Sequence, residues 1–286
     1  MRPDRLDEEK CDLCGLCLEV CGRGIFSRGE EVMRFDPGAG ACIECGHCMA
    51  ICPQAALRLN DGARPPPLKP ALMPAPEALL HFLRSRRSVR RFKNEVPSRS
   101  EIEKLIEAAR YSPTGTNKQD VNLVVVTDSE RIETLRKAIM VRFTAYDRHL
   151  SHPLKRLLLK TLVDKRFGDP VIRAFLRGFV AGYHAGGDPL FHRAPVVVFL
   201  HTGEKASTAK DDCCLALFHM VLMAERIGLG SCLLGTAEVA FSKTPSLNDL
   251  IGVPRSQPIL ASACFGYPVF RFSRLVNRKP LNVRWL

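Results

Sequence analysis

Eight of the twelve cysteines in this 286-residue chain lie in two short runs near its beginning. The first run reads "CDLCGLCLEVC" from position 11, and the second reads "CIECGHCMAIC" from position 42. Every cysteine of the second run stands 31 positions after its counterpart in the first, so this part of the chain contains an internal duplication. The other cysteines follow no such spacing; they are Cys213, Cys214, Cys232 and Cys264.

Closely spaced cysteines can form disulfides, bind structural zinc or bind iron–sulfur clusters. Disulfides form in oxidising compartments, but the opening residues "MRPDRLDEEK" lack the apolar core of a signal peptide, so we expect a reducing, cytoplasmic location. A structural zinc site usually takes its four ligands as two separated pairs. Runs of three closely spaced cysteines and a fourth instead match the ligands of two [4Fe–4S] clusters.

The spacing, with Pro53 after the last cysteine, resembles that of bacterial ferredoxins with two [4Fe–4S] clusters. In that pattern the fourth cysteine of each run binds the cluster of the other run. The resemblance therefore implies one cluster on Cys11, Cys14, Cys17 and Cys52, and another on Cys42, Cys45, Cys48 and Cys21. Gly22 replaces the second proline of the pattern, and His47 is expected to be a solvent-facing spacer.

A proline-rich segment separates the cysteine runs from the rest of the chain. Residues 60–76, "NDGARPPPLKPALMPAP", contain six prolines, which favour an extended spacer. We therefore predict a ferredoxin domain over residues 1–60, a linker over residues 61–76 and a second domain over residues 77–286.

Charge is unevenly divided between these segments. Residues 1–60 carry 7 basic and 10 acidic residues, which leaves 35 basic against 20 acidic residues of the chain's 42 and 30 for the remainder. A basic domain suggests nucleic acid, an acidic membrane surface or an anionic small molecule as partner. No zinc-finger or helix-turn-helix pattern supports nucleic acid. The longest uncharged stretch, residues 256–270, is too short to span a bilayer.

The second domain alternates helical patterns with a few apolar strands. Helices are predicted at "APEALLHFLRSRRS", at "SRSEIEKLIEAARYSP", where Ser98 with Glu101 or Ser100 with Glu103 forms a capping box, and at "STAKDDCCLALFHMVLMAERIGLG". Buried strands are predicted at "VNLVVVTD", "VVVFLH" and "ILASACFG". The pattern predicts an α+β sandwich, with the cysteines and histidine of the last helix in its core.

Two motifs carry groups suited to an anionic heterocyclic ligand. "RSRRSVRRF" gathers arginines around a serine just after a helix, which suits a phosphate group, although a basic turn can also simply be solvated. "YSPTGTNKQD" offers hydroxyl and amide side chains for the edge of a flat ring, or only ends the preceding helix.

Taken in order with "GLGSCLLG", "FGYP" and "NRKPL", these motifs resemble the nitroreductase family of FMN enzymes over about residues 77–286. The resemblance implies an α/β sandwich that forms a homodimer. It implies phosphate and ribityl contacts from Arg86, Arg87, Ser88 and Arg90, with help from Arg278 or Lys279, and contacts along the isoalloxazine from Leu234 and Gly235. It also implies that Pro113, Thr114, Asn117 and Gln119 reach the flavin of the partner subunit.

One departure from the family concerns the residues after this turn. The family often continues with proline and tryptophan, where this chain has Asp120 and Val121, so the resemblance does not define the local packing or the substrate pocket. The basic, leucine-rich helical segment within residues 136–190 is expected to cover the flavin, with contact to an acidic membrane as the alternative.

The order of the two domains suggests a function. Iron–sulfur clusters move single electrons, whereas a flavin transfers two. We therefore expect an FMN- and iron–sulfur-dependent oxidoreductase that acts on a nitroaromatic, a quinone or a similar small acceptor. Its donor would be a low-potential ferredoxin-like protein or NAD(P)H, although the chain has no GxGxxG dinucleotide motif. The alternatives are an electron-transfer or docking protein without substrate turnover, and a membrane-docked regulatory protein.

Overall fold

The computed structural model describes residues 5–31, 33–36, 42–58, 63–162, 169–203 and 207–286. The chain divides into two compact units. The first takes in Met1–Ala75 together with Thr116–Lys118, and the second takes in Pro76–Gly115 and Gln119–Leu286. Among the described residues, no helix combines the length and apolar character needed to cross a membrane.

The first unit consists of short elements around a small core. Strands β1 (Arg5–Leu6) and β4 (Leu57–Arg58) pair antiparallel, as do β2 (Phe26–Arg28) and β3 (Met33–Phe35). Two five-residue helices, α1 (Leu16–Val20) and α2 (His47–Ile51), each begin inside a cysteine run. The apolar side chains buried between them are Ile25, Phe26, Met33, Met49 and Leu57. This arrangement is the predicted ferredoxin-like fold.

The duplication of the cysteine runs is also present in the backbone. Positions 13 and 44 share φ angles of 57° and 56°, positions 15 and 46 share 78° and 74°, and positions 24 and 55 share 65° and 48°. Each pair is 31 residues apart. Left-handed backbone is uncommon for residues other than glycine, so its recurrence at Leu13 and Glu44 shows that both runs fold into the same loop.

The second unit contains a four-stranded antiparallel sheet. Its order is β5 (Val121–Val126), β6 (Val196–Thr202), β8 (Ala261–Gly266) and β7 (Gly230–Leu233). Strands β6 and β8 are buried along their whole length. The prediction of a buried strand was wrong for β5, because it lies at an edge of the sheet and only its last residue is buried. Strand β7 was not predicted.

Helices cover both faces of this sheet. Val196, Val198 and Leu200 of β6 pack with α4 (Arg99–Arg110) and α8 (Ala209–Arg226). Val197 and Phe199 pack on the other face with α5 (Ser129–Ser151), α7 (Pro170–His184) and α9 (Gly235–Lys243). This alternation confirms the α+β sandwich. The helices of the described part of the second unit are α3 (Pro76–Ser85), α4 (Arg99–Arg110), α5 (Ser129–Ser151), α6 (Pro153–Leu162), α7 (Pro170–His184), α8 (Ala209–Arg226) and α9 (Gly235–Lys243).

Helices α4 and α8 show how local signals set their ends. At α4 the Ser98 side chain accepts a hydrogen bond from Glu101 N, and the Glu101 side chain accepts one from Ser98 N, so the first of the two candidate capping boxes forms. Two residues beyond α8, Gly228 adopts φ 82°, the left-handed conformation of a helix terminus. Within α8, Cys213 is fully buried as predicted, but Cys214 is exposed.

Candidate cofactor sites

Four thiols surround one cavity of the first unit. Cys42, Cys45 and Cys48 of the second run line it together with Cys21, the last cysteine of the first run. The cavity has a volume of about 190 Å³. The structure thus brings together the four cysteines that the ferredoxin pattern assigns to the second cluster.

The first cysteine run forms a similar group. Burial raises the pKa of the Cys17 thiol, and the neighbouring Cys11 and Cys14 thiols raise it further. The chain after Cys52 is held against this loop, because Gln54 Nε2 donates a hydrogen bond to the Asp12 carboxylate at 3.3 Å. The assignment of Cys52 to the first cluster stays a prediction.

The thiol groups around this cavity fit an iron–sulfur cluster. Burial raises the pKa of Cys48 to about 11, with Cys21 and Cys45 close enough to contribute. Iron must therefore displace a proton from this thiol at neutral pH. Within the described residues, no three His, Cys, Asp or Glu side chains are close enough to hold one metal ion. Four thiols arranged around a cavity are the donor set of an iron–sulfur cluster.

In the second unit, the arginine–serine motif runs alongside the edge strand β7. Ser88 forms a parallel bridge with Ser231, and Val89 N donates a hydrogen bond to Ser231 O at 2.8 Å. Gly230 permits this approach, since a Cβ atom there would lie 2.7 Å from Val89 Cγ2. In an extended segment successive side chains point to opposite sides.

This alternation gathers Arg86, Ser88 and Arg90 near Cys232. Burial raises the pKa of the Cys232 thiol, and the charges of Arg90 and Arg86 oppose that rise, as do hydrogen bonds with Arg90 and Ser88. The thiol is therefore neutral at neutral pH. Two guanidinium groups and a hydroxyl beside a neutral thiol can receive a phosphate monoester.

Arg87 lies on the other side of the same segment. Its Nη1 donates to Arg84 O at 2.7 Å and to Arg86 O at 2.8 Å, and its Nη2 donates to Arg274 O at 3.5 Å. These bonds tie the segment to the end of α3 and to the chain that follows β8. The predicted role of Arg87 as a phosphate ligand stays a prediction, although the contacts seen in the structure are with the backbone.

The turn between β7 and α9 is held by hydrogen bonds between Leu234 and Ser262 of β8. Leu234 N donates to Ser262 O at 2.9 Å, and Ser262 Oγ donates to Leu234 O at 3.1 Å. Ser262 N in turn donates to Glu238 Oε1 at 2.9 Å, and Lys210 pairs with the same carboxylate at 2.7 Å. These bonds fix the backbone at Leu234 and Gly235, the residues predicted to lie along the isoalloxazine.

The predicted flavin-contacting turn from Pro113 to Gln119 has an unusual backbone. Thr116, Asn117 and Gln119 adopt φ angles of 50°, 55° and 52°. Thr114 Oγ1 accepts a hydrogen bond from Gln119 N at 3.0 Å, which closes the turn on itself. Their predicted contact with a partner's flavin stays a prediction.

A buried carboxylate that the sequence did not suggest holds this turn. Asp212, in the first turn of α8, accepts hydrogen bonds from Gly115 N at 3.0 Å and from Thr208 Oγ1 at 3.3 Å. Acidic residues are common in the first turn of any helix, so nothing in the sequence marks Asp212.

The basic residues near the end of the chain lie apart from regular structure. Arg278 and Lys279 are exposed, in a segment where the structure has neither helix nor strand. Their predicted contact with a phosphate stays a prediction.

Comparisons with known proteins agree with this two-part arrangement. Residues 83–267 match the sequence profile of the nitroreductase family, and residues 3–61 match that of the 4Fe-4S dicluster domain. An Archaeoglobus fulgidus protein with the provisional name NADH dehydrogenase/NAD(P)H nitroreductase is 24% identical over 192 residues, covering 67% of this chain and 86% of that protein. The "Ferredoxin 7Fe" of Hydrogenibacillus schlegelii is 40% identical over 45 residues, 16% of this chain and 55% of that ferredoxin.

Among solved structures, an FMN-bound nitroreductase from Bacteroides fragilis superimposes with a TM-score of 0.53 at 21% identity. The match covers 71% of this chain and 94% of that one, and at this identity it shows the fold alone. The family profile, by contrast, spans more than half of the chain. The chain therefore belongs to the nitroreductase family of oxidoreductases, and a ferredoxin-type 4Fe-4S domain precedes its nitroreductase domain.

Proposed function

We propose that this chain is an FMN-dependent oxidoreductase in which electrons pass from two [4Fe–4S] clusters to FMN and then to a small organic acceptor such as a nitroaromatic or a quinone. The observation that carries the proposal is the presence, in one chain, of the four-thiol cavity at Cys21 and of a nitroreductase fold. Clusters exchange one electron at a time and a flavin two, so their combination links one-electron donors to two-electron chemistry.

The residues beside β7 support FMN as the flavin. Its phosphate is an anion that Arg86 and Arg90 can bind with charge-assisted hydrogen bonds, while Ser88 adds a hydroxyl. The raised pKa of Cys232 keeps that thiol protonated, so it does not repel the phosphate. In this proposal Arg87 acts by fixing the segment through its bonds to backbone carbonyls.

Exposed apolar side chains support a homodimer. The leucines of the predicted apolar stripe of α3 are 43%, 56% and 43% exposed at Leu79, Leu80 and Leu83. Near the end of the chain, Leu281 is 87% exposed and Trp285 is 91% exposed. Contact with a second copy would remove such surfaces from water, and it would allow the turn at Asn117 to serve the flavin of the partner.

The route of the electrons is tested by comparing the intact chain with a truncated protein that begins at Pro74. With a reduced low-potential ferredoxin as donor, the truncated protein should lose most turnover of a nitroaromatic while it still binds FMN. With NAD(P)H, if either protein accepts it, the two should differ little. A matched control is the full-length double variant Cys21→Ala/Cys45→Ala, which keeps the domain but lacks two of the four ligands of one cluster.

Two outcomes would contradict the proposal. Equal activity of the intact and truncated proteins with every donor would show that the iron–sulfur domain is not the electron entry. Reduction of bound FMN without turnover of any acceptor would favour an electron-transfer or docking protein.

The shared flavin site is tested by mixing two inactive chains. One carries Arg86→Ala and Arg90→Ala, and the other carries Asn117→Ala. If each site takes its phosphate grip from one chain and its turn from the other, co-expression should restore about one quarter of the wild-type sites, since half the dimers are mixed and each has one intact site. A mixture that stays inactive would refute the shared site.

A further inference from the structure

The turn that includes Gly115 has a strained backbone conformation. Three of its residues without the freedom of glycine, Thr116, Asn117 and Gln119, lie in the left-handed region. Asparagine tolerates that region, but a β-branched residue such as Thr116 is a true outlier there. Such conformations persist only where the surrounding structure enforces them, and they concentrate at functional sites.

The first turn of α8 holds Gly115, the residue that precedes Thr116 in this turn. The Asp212 side chain belongs to a residue that is only 6% exposed, and its two oxygens accept from Gly115 N and Thr208 Oγ1 at 3.0 and 3.3 Å. A buried carboxylate is stable only when its oxygens are hydrogen-bonded. The contact also spans 97 positions of sequence, so it fixes the turn to a distant helix rather than to its own neighbours.

Close packing makes the same contact selective for glycine. A Cβ atom at position 115 would lie 2.1 Å from Thr208 Oγ1 and 3.1 Å from Thr208 Cγ2. The turn therefore lies directly on the helix end, with the Asp212 carboxylate and the Thr208 side chain as its two supports.

We infer that Asp212 is a positioning residue of the flavin site: together with Thr208 it fixes the Gly115 backbone and hence the conformation in which Thr114 and Gln119 meet the flavin. The inference rests on the proposed function, because it takes these turn residues to contact FMN. Asp212 itself acts through Gly115 and needs no contact with the flavin.

The test compares FMN binding by the full-length wild type and three variants. Asp212→Ala removes both acceptors and should weaken FMN affinity about tenfold, equivalent to about 1.4 kcal/mol. It should also change the visible circular dichroism of bound FMN, which reports the surroundings of the ring. Asp212→Asn keeps an acceptor for Gly115 N and should restore both properties. Asp211→Ala removes the neighbouring exposed carboxylate and should match the wild type.

A second pair of variants keeps the inference testable if Asp212→Ala does not fold. Gly115→Ala should weaken FMN binding because of the contact with Thr208. Adding Thr208→Ala to the same chain removes Oγ1, the nearest atom at 2.1 Å, and Cγ2 at 3.1 Å, leaves the Thr208 Cβ at 3.0 Å, and should restore part of the affinity. No restoration would overturn the packing argument.

The outcomes separate the inference from the function on which it rests. If the wild type binds FMN and Asp212→Ala behaves as Asp211→Ala does in affinity and dichroism, the positioning role is refuted and the function stands. If Asp212→Asn is as impaired as Asp212→Ala, the hydrogen bonds are not what Asp212 supplies, and the inference fails. A wild type that binds no FMN would refute the proposed function and this inference with it.

Discussion

Replacing Cys21 with alanine should destroy the cluster of the second cysteine run, although Cys21 belongs to the first. The reason is spatial: Cys21 lines the same cavity as Cys42, Cys45 and Cys48. The wild type should contain about eight irons per chain, four in each cluster. Loss of Cys21 should therefore remove about four irons and leave the other cluster whole.

Two double variants test which cluster Cys21 binds. Cys21→Ala/Cys45→Ala removes two ligands from one cavity, so about four irons and four sulfides should remain, with one intact [4Fe–4S] signal in the electron paramagnetic resonance of the reduced protein. Cys21→Ala/Cys14→Ala removes one ligand from each cluster, so neither intact signal should survive. Both variants lack two thiols, and each is the control for the other.

The opposite pattern would refute the crossed assignment. If Cys21→Ala/Cys14→Ala keeps one intact cluster and Cys21→Ala/Cys45→Ala keeps none, each run binds its own cluster. Seven irons in the wild type would contradict the stoichiometry, and one or two zinc ions in place of iron would contradict the metal.

The remaining predictions concern the second unit. Ser98→Ala removes the cap of α4 and should lower the free energy of unfolding by about 1 kcal/mol in a denaturant titration, whereas Ser100→Ala should change it by less than about 0.5 kcal/mol; equal effects would contradict the assigned cap. Hydrogen bonding, chiefly from the Ser98 hydroxyl, lowers the pKa of Glu101 below its ordinary 4.5. Its stabilising contribution is therefore present above that value and lost as pH falls through the lowered pKa, so the difference in stability between wild type and Glu101→Gln should shrink on acidification; a constant difference would refute this. Gly230→Ala places a Cβ atom 2.7 Å from a valine methyl and should cost about 1–3 kcal/mol in unfolding free energy, and an unchanged value would contradict the close packing there.

The features predicted well from sequence depend on neighbours in the chain. The cysteines of each run follow one another at spacings of two, two and three residues, so their spacing alone identified the chemistry. The capping box of α4 was likewise visible, since Ser98 and Glu101 are three residues apart. The local pattern could not choose between this pair and the alternative at Ser100, because the choice depends on where the helix begins.

The features that could not be predicted from the sequence depend on pairing between distant segments of the chain. Strand β7 has four residues and a glycine at its start, too short for an alternating pattern to emerge. Without strand β7, the sequence could not distinguish the orientation of Arg87 from that of Arg86 and Arg90. Arg87 points to the opposite side of the segment because Ser88 pairs with Ser231 in an extended conformation. Asp212 was missed for the same reason, because its partner Gly115 is far away in the chain.

The matching backbones of the two cysteine loops leave side-chain charge to decide how the two clusters differ. At equivalent positions the first loop has Asp12 where the second has Ile43, and Arg23 follows the first run where Gln54 follows the second. Asp12 accepts a bond from Cys14 N, whereas Arg23 lines the cavity of the second cluster. Negative charge near a cluster lowers its reduction potential and positive charge raises it. We therefore expect the second cluster to have the higher reduction potential and to be reduced first in a reductive titration. The Arg23→Gln variant should reduce the difference between the two reduction potentials.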